Sequence, residues 1–164
     1  MIMAEIRVII TGGTIDKEYI PNTGVMGFGS SHISQMLSQA RTSLNIVVQE
    51  LMLMDSLNLT VSDRARIAEA CNASPEKCIV IVHGTDTMID TGECLDQIKR
   101  KCIVLTGAII PWTCANSDSS FNLGTALAFV QALPCGTYIA MNGRISLWDM
   151  VVKNRETGIF ESVI

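Results

Sequence analysis

A chain of 164 residues, 48% apolar and only 17% charged, is long enough for one domain with a sizeable core and short for two. Its net charge of −4, with no basic stripe or aromatic-basic interleaving, argues against a nucleic-acid partner. No apolar run reaches the roughly 18 residues of a membrane span, and the start "MIMAEIRVIITGG" lacks the features of a secretion signal, so a cytoplasmic protein without membrane contact is expected.

In chain order, the short β-rich run "IRVIIT" (6–11) predicts a strand, followed by "TGGT" and a loop over 12–30. "SSHISQMLSQA" (30–40) predicts a helix begun by a serine cap, and "NIVVQELM" (45–52) a second strand. "TVSDRARIAEACNAS" (60–74) predicts a helix with Ser62 as its cap. Strand "CIVIVHG" (78–84), helix "DTGECLDQIK" (90–99) and strand "CIVLTGA" (102–108) follow. Helix "FNLGTALAFVQAL" (121–133) ends at Pro134 and precedes strand "TYIAMN" (137–142), while the segment from Trp148 onward shows no clear closing element.

Three of these strands are apolar nearly throughout, as in a parallel sheet covered on both faces. The alternation predicts an α/β fold: a single-domain three-layer α/β/α sandwich over 1–164, with a doubly wound, mostly parallel sheet and right-handed crossovers. The six cysteines form neither a C-x-x-C pair nor a zinc spacing and read as reduced packing residues, with Cys114 in an exposed loop as the exception.

In such a sheet, ligands bind beyond the carboxyl ends of the strands. Those ends read "TGGT", "MDS", "HGTDTM" and "TGA", more hydroxyl and carboxylate chemistry than plain turns need. The fingerprint G-x-G-x-x-G and the P-loop pattern are both absent, which argues against a nucleotide site. Glycines that merely allow a tight turn are the plainer reading of "TGGT" alone.

"TGGTI" (11–15), "MDS" (54–56), "HGTDTM" (83–88), "LTGAIIP" (105–111) and "DSSFNL" (118–123) occur in an order that resembles the N-terminal domain of the bacterial-type L-asparaginases, which include glutaminase-asparaginases. Lys153, 12 residues after Met141, keeps a spacing seen in that family. The resemblance implies Thr14 as nucleophile, Tyr19 as the tyrosine of a mobile closing loop, and Asp55 and Ser56 as the turn holding the substrate's α-carboxylate. It implies Thr85 as the second threonine, Asp86 as the aspartate that binds the α-amino group, and Lys153 as the lysine completing their set. Gly13 would line the substrate site and the carbonyl of Ala108 would hold the amide nitrogen. His83 reads as a packing residue at a strand end, and Trp112 and Trp148 fall in loops beside the site or on a subunit contact.

A threonine hydroxyl needs an adjacent base to attack an amide. Two candidates are Tyr19, although a phenol is mostly protonated at neutral pH, and Lys153 acting through Thr85 with Asp86 orienting it. Thr14 would attack the amide carbon and release ammonia, leaving an aspartyl-threonine ester that water then hydrolyses. Backbone N–H groups of the glycine-bearing turns are natural oxyanion donors, commonly worth about 3–4 kcal/mol each. No metal or organic cofactor is called for.

The resemblance covers only the family's N-terminal domain, so the expectation is that the smaller C-terminal domain, which in family members supplies an acidic contact to the substrate's amine from a neighbouring subunit, is absent. Leu57 stands where periplasmic-type members carry a glutamine that touches the same amine, and Ile110 replaces a usual arginine. The expectation is an L-asparaginase with a raised KM, acting on a small-molecule substrate as a homodimer or homotetramer. Glutaminase activity is a weaker variant. The rival is a non-catalytic amino-acid-binding or regulatory module, and a nucleotide-binding module has almost no motif support.

Overall fold

The computed structural model describes residues 5–163. Strand β1 (Ile6–Gly12) leads through a single 3-10 turn, Thr14–Asp16, into a hairpin of β2 (Lys17–Ile20) and β3 (Val25–Phe28). Then come α1 (Ile33–Gln39), β4 (Ile46–Met54), a turn at Ser56–Asn58, α2 (Val61–Ala73), β5 (Cys78–Val82), α3 (Met88–Leu95), β6 (Cys102–Thr106), α4 (Ser119–Val130) and β7 (Gly136–Met141). The chain closes with β8 (Arg144–Leu147), a turn at Trp148–Met150, and β9 (Val151–Lys153) paired antiparallel with β10 (Phe160–Ser162).

The main sheet runs β4-β1-β5-β6-β7-β8, parallel throughout except for the antiparallel edge strand β8. Side-chain alternation sorts the core into two layers. Ile6, Val8, Val80, Val104 and Tyr138 face α1 and α4, through Ile33, Met36, Leu123 and Leu127. Ile9, Ile79, Ile81, Ile103 and Ile139 face α2 and α3, through Ile67, Cys71, Met88 and Leu95. With both faces covered, the strands need apolar residues at every position, which is why the sequence shows runs rather than alternation. The three-layer, doubly wound, mostly parallel sandwich is therefore present.

The expectation of uniformly right-handed crossovers fails at one connection. The units β5-α3-β6 and β6-α4-β7 advance across the sheet in the same direction, yet α3 and α4 lie on opposite faces, so they have opposite hands. The β1-α1-β4 and β4-α2-β5 units share the hand of β5-α3-β6, which is the one that strand twist favours, so β6-α4-β7 is left-handed. The long loop 107–118 before α4 relaxes the constraint that normally enforces the hand, and it lets α4 begin on the other face.

Local signals account for the other differences. Helix α2 is capped by Thr60 rather than Ser62: Thr60 Oγ1 accepts from Asp63 N at 3.2 Å while Asp63 Oδ2 accepts from Thr60 N at 3.0 Å, a complete capping box. The residue preceding α1 is His32, and Ser31 Oγ instead accepts from Ile33 N and donates to Asp16. Helix α3 starts at Met88, before Asp90. Strands β2, β3, β8, β9 and β10 are not among the expected elements, and the last two supply a closing element for the C-terminal segment. The cysteines are all free, Cys71 and Cys102 buried with thiols pushed up to about 12 by burial. Cys135 joins Cys114 on the surface.

Candidate active site

The order β4-β1-β5 reverses direction at β1, and at such a switch point the strand-end loops diverge to leave a crevice. Glycines let these loops close on one another. Gly12 and Gly13 have φ of 99° and 87°, conformations that disfavour a side chain. A Cβ on Gly12 would lie 2.4 Å from Met54 N, and one on Gly13 2.4 Å from Gly84 N. A Cβ on Gly84 would meet the Ser56 side chain at 2.6 Å, and one on Gly107 would meet His83 O at 2.2 Å. Backbone contact through these glycines brings the ends of β1, β4, β5 and β6, and with them Thr14, Ser56, Thr85 and Ala108, to one place.

Thr14 opens the 3-10 turn and is partly exposed; among the described residues its hydroxyl forms no hydrogen bond. Behind it the buried Asp16 carboxylate accepts from His32 N at 2.8 Å and from Ser31 Oγ at 3.0 Å, locking the turn to the start of α1. Burial raises the Asp16 pKa and these bonds oppose the rise. Tyr19 lies on β2, opposite Met26 of β3, and is 61% exposed. Its hydroxyl has no protein partner among the described residues.

On β9, Lys153 Nζ donates to Thr85 Oγ1 at 2.8 Å and to Asp86 Oδ1 at 2.7 Å. The three side chains, separated by almost half the sequence, form one set, with Thr85 buried and Asp86 partly open to solvent. The position of Lys153 follows from a polar relay. Asp118 accepts from Ile109 N and Ile110 N, and Asn122 donates to both Asp118 and Gly107 O. Asn122 Oδ1 accepts from Asn142 N at 3.2 Å, and Asn142 Oδ1 accepts from Phe160 N, whose register partner is Lys153. The "DSSFNL" stretch thus holds both the Ala108 loop and, through Asn142, the β9–β10 hairpin.

Ser56 is buried beneath Gly84, and its carbonyl accepts from Thr87 Oγ1 at 2.8 Å. Asp55 caps the following turn by accepting from Leu57 N at 3.1 Å, and its other oxygen pairs with Lys17 Nζ at 2.5 Å. Lys17 is foremost among the causes that hold the Asp55 carboxyl below its usual range. The sequence alone assigns Lys17 no role, because the segment that carries it reads as a loop. The Leu57 side chain is exposed and carries no hydrogen-bonding group.

His83 is fully buried. Its Nδ1 lies 2.7 Å from Gly84 O, which can only accept, so Nδ1 carries the proton and Nε2 accepts from Thr91 Oγ1 at 2.8 Å. Burial lowers its pKa to about 4. Trp112 packs on the His32 ring at 5.3 Å between centroids, and Trp148 packs on Gly92 of α3. A concavity of about 470 Å³ among Asn72, Lys77, Gln97, Arg100 and Lys101 lies at the opposite, N-terminal ends of β5 and β6, so volume alone does not mark the Thr14 crevice. Among the described residues no cluster of three His, Cys, Asp or Glu side chains is arranged to hold a metal ion, and no helix is long and apolar enough to cross a membrane.

The profile of the asparaginase N-terminal domain matches residues 5–162. The L-asparaginase of Thermococcus kodakarensis is 30% identical over 167 residues, covering 97% of this chain and 51% of that protein. L-asparaginase 2 of Escherichia coli is 28% identical, covering 98% and 50%. A subunit of the glutamyl-tRNA(Gln) amidotransferase of Sulfolobus acidocaldarius is 30% identical, covering 87% and 34%. The solved thermostable L-asparaginase from Thermococcus kodakarensis superposes with a TM-score of 0.85 at 31% identity, over 97% of this chain and 51% of that one. A probable cytoplasmic L-asparaginase from Campylobacter jejuni does so at 0.82 and 30% identity, over 97% and 53%. The chain spans about half the length of the asparaginases it matches.

Proposed function

The chain belongs to the asparaginase N-terminal domain family, and on that footing we propose that it hydrolyses L-asparagine to L-aspartate and ammonia with Thr14 as nucleophile. The observation that carries this reading is the Lys153–Thr85–Asp86 set, at 2.7–2.8 Å, on a loop whose Gly84 touches Gly13 beside Thr14. A binding pocket needs no lysine on a buried threonine hydroxyl; proton transfer does.

Thr14 Oγ attacks the side-chain amide carbon, its proton passes to a base, and ammonia leaves as the ester forms. A water activated by Thr85 and Lys153 then attacks the ester, and aspartate leaves as Thr14 regains its proton. Tyr19, 61% exposed in this conformation, is the base for Thr14 once the hairpin closes over the substrate, and Thr85 with Lys153 serves the second step. Gly13, Asp55, Ser56 and Ala108 surround the substrate, its α-carboxylate at the Asp55–Ser56 turn and its amide nitrogen at the Ala108 carbonyl. Asp86 receives the α-amino group unaided by Leu57, so KM is raised more than kcat is lowered: one missing charged hydrogen bond costs about 1.5–3 kcal/mol. Glutamine is a poorer substrate.

Location in the cytoplasm is supported by the likeness to a probable cytoplasmic asparaginase. Assembly as a homodimer or homotetramer is supported by exposed Ile109, Ile110, Met150, Val152 and Ile159. The test is ammonia release from L-asparagine by the wild type and by Thr14→Ala. Turnover abolished by the substitution supports the hydrolase; asparagine binding without ammonia from the folded wild type supports the binding module instead.

A further inference from the structure

We infer that Lys17 recognises the substrate's α-carboxylate, and that the head group of an amino-acid amide inserts into the Lys17–Asp55 ion pair; this rests on the hydrolase reading of the Thr14 site. Lys17 begins β2, three residues beyond Thr14, and its backbone N–H donates to Thr14 O, so the cation is tied directly to the nucleophile's turn. Its ammonium lies 2.5 Å from Asp55 Oδ2 and 5.9 Å from the centre of the Phe28 ring. Both partners of the pair are about a quarter exposed, so a ligand can reach it from solvent.

A carboxylate beside Asp55 needs a cation. The two lysines on these loops differ in what they have left to give. Lys153 is engaged with Thr85 and Asp86, whereas Lys17 spends one of its three N–H donors on Asp55 and has two to offer. Asp55 stays oriented by Leu57 N when Lys17 is shared.

Charge balance then selects the ligand. A monoanion placed on Lys17 would set two carboxylates against one ammonium. A zwitterion brings its own cation, which faces Asp55 and Asp86, and no charge is stranded. The site therefore favours amides carrying both an α-ammonium and an α-carboxylate.

The test compares L-asparagine with L-aspartic diamide, in which an uncharged carboxamide replaces the α-carboxylate. Calorimetric binding to Thr14→Ala and to Thr14→Ala/Lys17→Met is measured beside turnover by the wild type, Lys17→Met and Lys17→Arg. The expected result is asparagine binding weakened about tenfold or more by Lys17→Met, with binding of the cationic diamide unchanged or strengthened. KM for asparagine rises by a similar factor while kcat stays within about threefold, and Lys17→Arg restores most of the affinity. Equal effects on the two ligands, or none, overturn the role of Lys17 whatever the turnover. Selective loss of asparagine binding without ammonia release by the wild type keeps Lys17 and overturns the hydrolase reading.

Discussion

The backbone of Gly13 rests on the backbone of Gly84, so closely that a methyl group on Gly13 would lie 2.4 Å from Gly84 N and 2.5 Å from its Cα. Gly84 rests in turn on Ser56, and Gly107 on His83 O. These three contacts join loops from four neighbouring strands across the point where the strand order reverses. The glycines in "TGGT", "HGTD" and "LTGA" are therefore assembly contacts of the site.

Gly84→Ala forces its new methyl into the Ser56 side chain at 2.6 Å. Overpacking of this kind costs about 1–3 kcal/mol, and here it also separates Ser56 from Thr85. Gly124→Ala, in the middle of α4 with nothing within 4 Å of the new methyl, is the control and gains about 0.5–1 kcal/mol. Urea titration of both variants, with ammonia assays, checks the pair; equal stability changes would refute the contact argument.

Asn122 is buried and spends its side chain on Gly107 O, Asp118 and Asn142 N. Asn122→Ala leaves those groups short of a partner, at about 1–3 kcal/mol for each one stranded. Because the relay ends at the β9–β10 hairpin, activity should fall further than that of an equally destabilised core variant such as Ile67→Val/Cys71→Ala, assayed well below both melting temperatures. Parallel losses would reduce Asn122 to a stability residue.

His83 gives a pH dependence of defined sign. Its pKa is about 4 when folded and about 6.5 when unfolded, so between these values the unfolded chain binds a proton that the native chain does not. The stability from neutral His83 is fully present above about pH 6.5 and is lost as pH falls toward 4, by roughly 3 kcal/mol in total. Asp55 and Glu76, whose pKa values are lowered, lose their contributions at lower pH, and Asp16, whose pKa is raised, acts in the opposite sense. Comparing the wild type with His83→Gln isolates the histidine: the difference in unfolding free energy should change between pH 7.5 and 4.5, and a constant difference would contradict it.

The five parallel strands are legible in the sequence because burial on both faces leaves uninterrupted apolar runs such as "CIVIV". The polar residues placed at their ends, Thr14, Ser56, Thr85 and Asp86, stand out against that background. The hairpins are legible in principle too. Asn142 and Gly143, with φ of 55° and 76°, form the "NG" turn that joins β7 to β8, and Gly24 at φ 72° ends the turn between β2 and β3. Strands β2, β3 and β8 are only four residues long and partly exposed, so periodicity has little to register. The hand of β6-α4-β7 is not legible, since it depends on which face α4 covers, and the α4 sequence is apolar on most sides. The Lys17–Asp55 pair spans 38 residues and two separate loops, and no local pattern announces it.

On the proposed mechanism Thr14 forms an ester that Thr85 and Lys153 help water to cleave. The most direct measurement is intact-mass analysis, with peptide mapping, of Thr85→Val quenched after mixing with L-asparagine. The expected result is a burst of about one ammonia per active chain and an aspartyl adduct on Thr14, accumulating because its hydrolysis is slowed. No adduct and no burst, or an adduct on any other residue, would contradict it.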